Sequence, residues 1–170
     1  MDINFRSEVK EMIEESGIDI LYRRKSKLIK CLCFNELHKS ADPECEVCQG
    51  TGRMIAFEKI KLFANPNAPN ANNMNIISTD MGPMLNGTYI IVGDERSHLT
   101  IGDTIYMVGW EGRYPVTLHG VLEITSVNVM RQQNGRVEYY LGYGKINTVE
   151  IDRAKTVLKK ITGKEVEVRV

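Results

Sequence analysis

The chain has 170 residues, of which 42% are hydrophobic; that length supports one sizeable core, and that composition excludes a disordered chain. Lys and Arg total 22 and Asp and Glu total 22, so a general electrostatic pull toward polyanions is excluded and only local patches could bind them. No stretch nears the eighteen or so consecutive apolar residues of a membrane span, and the charged opening MDINFRSEVK lacks the apolar centre of an export signal.

Residues 4–16, NFRSEVKEMIEES, predict a short amphipathic helix with Phe5, Val9, Met12 and Ile13 on one stripe, capped by Asn4 and ended by Gly17. A helix this short is marginal alone, so the stripe must pack on a neighbour. Residues 18–30, IDILYRRKSKLIK, predict a lead-in strand carrying a basic run of Arg23, Arg24, Lys25, Lys27 and Lys30. The plain reading of that run is a solvated or subunit-facing surface. Nucleic-acid contact is the other reading, although no aromatic series is interleaved with the charges to stack on bases.

All four cysteines fall within the next eighteen residues: Cys31-Leu-Cys33, then an eleven-residue gap, then Cys45-Glu-Val-Cys48-Gln-Gly-Thr-Gly. A secreted disulfide scaffold would spread its cysteines along the chain, so this clustering points to reduced thiolates in an intracellular setting. Two close thiolate pairs supply a tetrahedral soft-ligand set, which predicts one structural Zn2+ on Cys31, Cys33, Cys45 and Cys48. Gly50 and Gly52 give the backbone freedom to turn toward the sulfurs. His38 is an alternative fourth ligand. A thioredoxin-like pair would need a helix start after its CxxC, where glycines stand instead. An iron–sulfur cluster or buried free cysteines would use the same residues. With four protein ligands no position stays open for water, so the expected metal folds the chain and does not catalyse.

Residues 54–64 are strand-like, and 65–75, NPNAPNANNMN, hold six Asn and two Pro, a loop composition with little apolar area to bury. From 76 to 146 the pattern is β throughout, with Asn86-Gly87 and Asn134-Gly135 as hairpin turns and further turns at Gly102-Asp103 and Gly109 to Gly112. The run Val116 to Met130 changes its apolar phase between Ile124 and Val127, which predicts a bulge or bend. Five or six strands in this space predict a mostly β fold built on a small SH3-like or OB-like barrel. Asn147 and Glu150 form a capping signature for a C-terminal helix with Ile151, Ala154, Leu158 and Ile161 as its stripe and Gly163 as its stop. The tail KEVEVRV alternates like an added edge strand.

The expected organisation is therefore a helix and basic lead-in over 1–30, a four-cysteine zinc knuckle over 31–53, the small barrel over 54–146, and a helix with a tail strand over 147–170. No enzyme is expected. His98 and His119 stand apart from any nucleophile, and Asp80, Asp94, Glu95 and Asp103 sit at turns, where carboxylates cap backbone N–H groups. LGYGK matches neither a dinucleotide fingerprint nor a phosphate loop. Trp110, in GWEGRY, is core or contact surface.

CEVCQGTG over 45–52 is similar to one unit of the cysteine-rich domain of DnaJ-type chaperones, but the partner pair here is CxC. Across roughly residues 1–146 the order of elements resembles neck proteins of tailed bacteriophages: an N-terminal helix, LYRRK, a knuckle ending in GTG, and a β domain containing GDTIYMVG. The resemblance implies a structural virion protein of the head-completion or head–tail connector stopper type. Such a protein forms a ring of its own copies, touches portal, adaptor or tail proteins and possible channel DNA, and helps retain DNA or join head to tail. The alternative is a zinc-ribbon nucleic-acid-binding module using Arg23, Arg24, Lys25, Lys27 and Lys30.

Overall fold

The computed structural model describes residues 5–66, 88–132 and 134–169. Helix α1 (Phe5–Ser16) precedes strands β1 (Ile18–Lys30), β2 (Arg53–Pro66), β3 (Thr88–Asp94), β4 (Thr104–Glu111), β5 (Tyr114–Arg131) and β6 (Val137–Ile146). A 3-10 turn over Thr148–Glu150 leads into α2 (Ile151–Thr162), and a short strand β7 (Glu167–Val168) follows. Most of the Asn-rich segment, the NIIST strand and the Asn86-Gly87 turn lie outside the described residues. No helix among the described residues is long and apolar enough to cross a membrane.

The expected SH3-like or OB-like barrel is corrected by the strand pairing. The strands form one seven-stranded sheet in the order β4–β1–β2–β3–β6–β5–β7, with a further β4–β5 pairing. Strand β1, read from sequence as a lead-in, lies inside that sheet between β4 and β2. The physical reason is that β1 is buried on both faces. Ile20 and Tyr22 enter one core with Leu62, Ile91, Ile105, Leu122 and Ile124. Leu21, between them, enters a second core with Tyr106, Val108, Leu118 and Val121. Period-2 geometry makes one strand serve both faces, and the charges after Leu21 concealed this from composition alone.

Strand β5 is 18 residues long and absorbs its phase change with a register shift between Ile124 and Ser126, where the sequence predicts a bulge. Helix α2 covers the second core with Ala154, Val157 and Leu158. Its approach is capped by the Asn147 side chain, which accepts from the Glu150 N–H. Gly163 ends it in the left-handed conformation, φ +68°. Val166 is buried in the same core, and β7 runs parallel to β5, pairing at Thr117 and Leu118. Helix α1 is held at the other side by the Arg6 guanidinium, whose Nε donates to the Val137 carbonyl at 2.9 Å.

Strand β1 meets β4 only over Leu21–Arg23, and β2 meets β3 only over Phe63–Pro66. Past Arg23, among the described residues, the distal halves of β1 and β2 have only each other as strand partners, rejoining at Lys30 and Arg53. They form a two-stranded arm, and the cysteine block is its tip.

Candidate metal centre

The tip is built from turns that leave few loose polar groups. The Cys31 N–H donates to the Gly52 carbonyl at 2.9 Å, closing the base, and the Phe34 N–H donates to Cys31 at 3.0 Å, closing the CxC turn. The Asn35 side chain accepts from the Leu37 and His38 N–H groups, and Asp42 accepts from Glu44, so the intervening loop caps itself. On the second knuckle the Gln49 N–H reaches the Cys45 carbonyl at 2.7 Å. Gln49, Gly50 and Gly52 follow at φ +51°, +77° and +70°. This left-handed run turns the chain back toward the arm, and it is why CxxC is followed by glycines.

These turns bring the four sulfurs within 4.8 Å of one another. Cys31 and Cys45 sulfurs are 3.7 Å apart, and Cys33 and Cys48 sulfurs 3.4 Å. All four are free thiols. A tetrahedron of sulfurs about 2.3 Å from a central zinc has edges of about 3.8 Å, so the set fits a metal ion with little adjustment. Cys31 and Cys48 are buried, while Cys33 and Cys45 are half-buried. Backbone N–H groups of Cys48 and then Val47 pull the Cys45 thiol down to about 7. Burial first, then the Cys48 thiol, pushes Cys33 up to about 12. Four sulfurs this close cannot all ionise without a cation between them. His38 is exposed and does not belong to the cluster.

The basic run does not form one patch. Arg23 is 2% exposed, with Nη1 3.4 Å from Thr104 Oγ1 and 3.8 Å from a Glu150 carboxylate oxygen. Arg24 lies over the Tyr22 ring, donates to the Ser97 and His98 carbonyls, and pairs with Glu58 at 3.2 Å. Lys30 pairs with Glu36 beside the Phe34 ring. Lys25 is half-buried and Lys27 exposed on the arm. Arg53, which sequence reasoning passed over, stands opposite Lys30 and donates to the Lys27 carbonyl at 3.0 Å. Its position directly after the GTG turn was the available signal.

Asp103, Asp94, His98 and Trp110 each make contacts within the fold. Asp103 is buried and accepts from the Tyr22 hydroxyl at 2.9 Å and the Lys25 N–H at 3.0 Å. Asp94 caps the Arg96 N–H at 3.1 Å. His98 Nδ1 is 3.1 Å from the Tyr140 hydroxyl, and His119 is exposed on β5. Trp110 lies in β4 rather than in a turn, with its indole N–H donated to the Asp19 carbonyl at 2.9 Å. No protein-family model matches this chain, and no curated protein matches it.

Proposed function

We propose that this chain is a zinc-stapled binding module, with one structural Zn2+ on Cys31, Cys33, Cys45 and Cys48 and an arm that contacts nucleic acid. The observation that carries the reading is the convergence of four free thiols at the tip of a two-stranded arm. A 22-residue tip without a core of its own is the kind of segment a structural metal folds. Lys25, Lys27 and Arg53 are the cations on the arm that could meet phosphates. Arg23 and Arg24 are engaged with Glu150 and Glu58 and hold the fold instead.

Metal analysis with free-thiol counting tests the first half, and one zinc per chain is expected. Fluorescence anisotropy with labelled single- and double-stranded DNA across a salt series tests the second. Three phosphate contacts give a log–log salt slope of about −2 to −3. Absence of binding, or binding indifferent to salt and to Lys27→Glu, would remove the nucleic-acid assignment.

A second reading is a structural protein of the phage neck, in a ring and joined to portal, adaptor or tail proteins. It rests on the element-order resemblance, and the exposed leucines of the arm, Leu28, Leu32 and Leu37, favour it. Gene neighbours encoding portal, capsid or tail proteins would separate it from the first.

A further inference from the structure

The four thiols of the arm tip divide in a way that metal binding does not require. Cys33 and Cys45 are half-buried and partly open to solvent, whereas Cys31 and Cys48 are buried. The sulfur contacts of 3.7 and 3.4 Å both run across the two knuckles, and each joins an accessible sulfur to a buried one: Cys45 with Cys31, and Cys33 with Cys48. Cysteine oxidation passes from thiolate to sulfenic acid, which a neighbouring thiolate converts to a disulfide. That chemistry needs one sulfur within reach of the oxidant and a resolving sulfur beside it. Each cross-knuckle pair supplies both.

The pairs are also close enough to bond. A disulfide brings its sulfurs to about 2.05 Å, so each pair closes by about 1.5 Å, a distance that rotation about the two Cα–Cβ bonds can share. The chain between the knuckles is a self-capped loop, held by Asn35 and Asp42, and it already places them face to face.

We propose that Cys33 and Cys45 are oxidative modification sites for a peroxide, resolved by the buried sulfurs into two cross-knuckle disulfides, Cys31–Cys45 and Cys33–Cys48, with loss of the metal. In each pair the accessible thiolate attacks one peroxide oxygen. An S–O bond forms, the O–O bond breaks and hydroxide leaves. The buried thiolate then attacks that sulfur, the S–S bond forms and the S–O bond breaks as a second hydroxide leaves. Two thiolates lose two electrons and one hydrogen peroxide gains them, so a chain with two pairs consumes two peroxides. A disulfide sulfur is no longer a thiolate ligand, so the metal is released. Each crosslink ties the CxC turn to the CxxC turn as the metal does, and the oxidised tip stays closed. The release rests on the zinc reading above. The crosslinks rest on the sulfur positions alone.

The test treats the full, reduced, zinc-loaded chain with a small excess of hydrogen peroxide. Free thiols, released zinc and disulfide positions are followed together, the last by mass spectrometry. Trypsin cuts after Lys30, Lys39 and Arg53, so the knuckles fall on separate peptides, 31–39 and 40–53. Cross-knuckle disulfides leave these peptides joined, whereas disulfides within a knuckle leave them apart, each lighter by two hydrogens. Partial reduction and alkylation before fragmentation assigns the partners. All four thiols are expected to disappear, zinc to leave in step, and the peptides to be joined as Cys31–Cys45 and Cys33–Cys48. Dithiothreitol with added Zn2+ restores both thiols and metal. Peptides that stay apart, a different pairing, or thiols that survive the peroxide overturn the proposal. A reduced chain that takes up no zinc refutes the metal assignment alone, because its disulfides are mapped in the same way.

Discussion

Gly52 illustrates how a single position carries the metal site. Its φ is +70°, and a Cβ there would lie 2.6 Å from the Phe34 ring, whereas at Gly135, φ +79°, a Cβ meets nothing within 4 Å. Gly135→Ala therefore bears only the conformational penalty, about 1 kcal/mol, while Gly52→Ala adds a clash inside the CxC turn. The expected outcome is weaker zinc retention against a competing chelator for Gly52→Ala and wild-type retention for Gly135→Ala; equal behaviour would refute the assignment. Arg23 and Glu150 present a different asymmetry. Glu150 also pairs with Arg153 at 2.8 Å, but among the described residues the buried Arg23 has only Thr104 besides Glu150, with no partner there for Nε and Nη2. Glu150→Ala strands a buried cation and is expected to cost about 3 kcal/mol. Arg23→Met removes the stranded group and costs less, so chemical denaturation of the two variants should rank them in that order. This pair was invisible in the sequence. A run of five cations looks solvated, and nothing local announces that one of them meets a carboxylate from a helix approach more than a hundred residues away.

Among the elements, α2 was the most legible and the arm the least. Asn147, Glu150 and Gly163 mark the ends of α2 by local chemistry; the structure keeps the roles of Asn147 and Gly163, whereas the Glu150 carboxylate pairs with Arg153 and the Asn147 N–H donates to the Val121 carbonyl, so no capping box closes. Of the expected stripe, Ile151, Ala154 and Leu158 face the second core, but Val157 is buried beside Leu158 and Ile161 is 43% exposed at the helix end. Leu158→Ala should accordingly cost about 2–5 kcal/mol, and Ile161→Ala a small fraction of that, measured by thermal or urea unfolding. The four cysteines were legible because each ligand pair lies two or three positions apart in the chain, Cys31 with Cys33 and Cys45 with Cys48. The arm was not, since which strands extend past their partners depends on long-range pairing that periodicity does not encode. Its tip contributes no side chain to either apolar cluster of the sheet. Chelating the metal is therefore expected to free the amides of 31–52 to exchange while those of Ile20, Ile91 and Leu122 stay protected. Loss of protection across the sheet would show that tip and sheet are one cooperative unit.

At the scale of the whole molecule, a sheet with a core on each face replaces the single barrel interior that turn spacing suggested. The β content and the terminal helices were readable from local pattern. The topology was not, because β1 and β4 pair across roughly eighty residues and the sequence between them includes the tip. Two tyrosines report on the two cores. Tyr22 lies in the first and Tyr106 in the second, both fully buried. Burial pushes the Tyr106 phenol up to about 12, and burial together with the Asp103 carboxylate pushes Tyr22 further up. Unfolded tyrosine titrates near 10. Between these values the unfolded chain sheds protons that the folded chain keeps. The contribution is thus fully present below about pH 10 and is lost as pH rises through 12, at about 1.4 kcal/mol per pH unit for each tyrosine. The phenols differ at neutral pH. The Tyr22 hydroxyl donates to Asp103 and accepts from the Thr100 N–H at 3.2 Å, whereas the Tyr106 hydroxyl has no partner among the described residues. Tyr22→Phe should cost about 1–2 kcal/mol at pH 7 by leaving Asp103 Oδ2 and the Thr100 N–H without the hydroxyl they share, while the Lys25 N–H still holds Asp103 Oδ1, and Tyr106→Phe should be neutral or stabilising. Each substitution should reduce the alkaline slope by one proton, followed by urea unfolding at several pH values with near-ultraviolet phenolate absorbance. An alkaline slope unchanged in both variants would mean that lysine deprotonation, and not the buried phenols, governs unfolding at high pH.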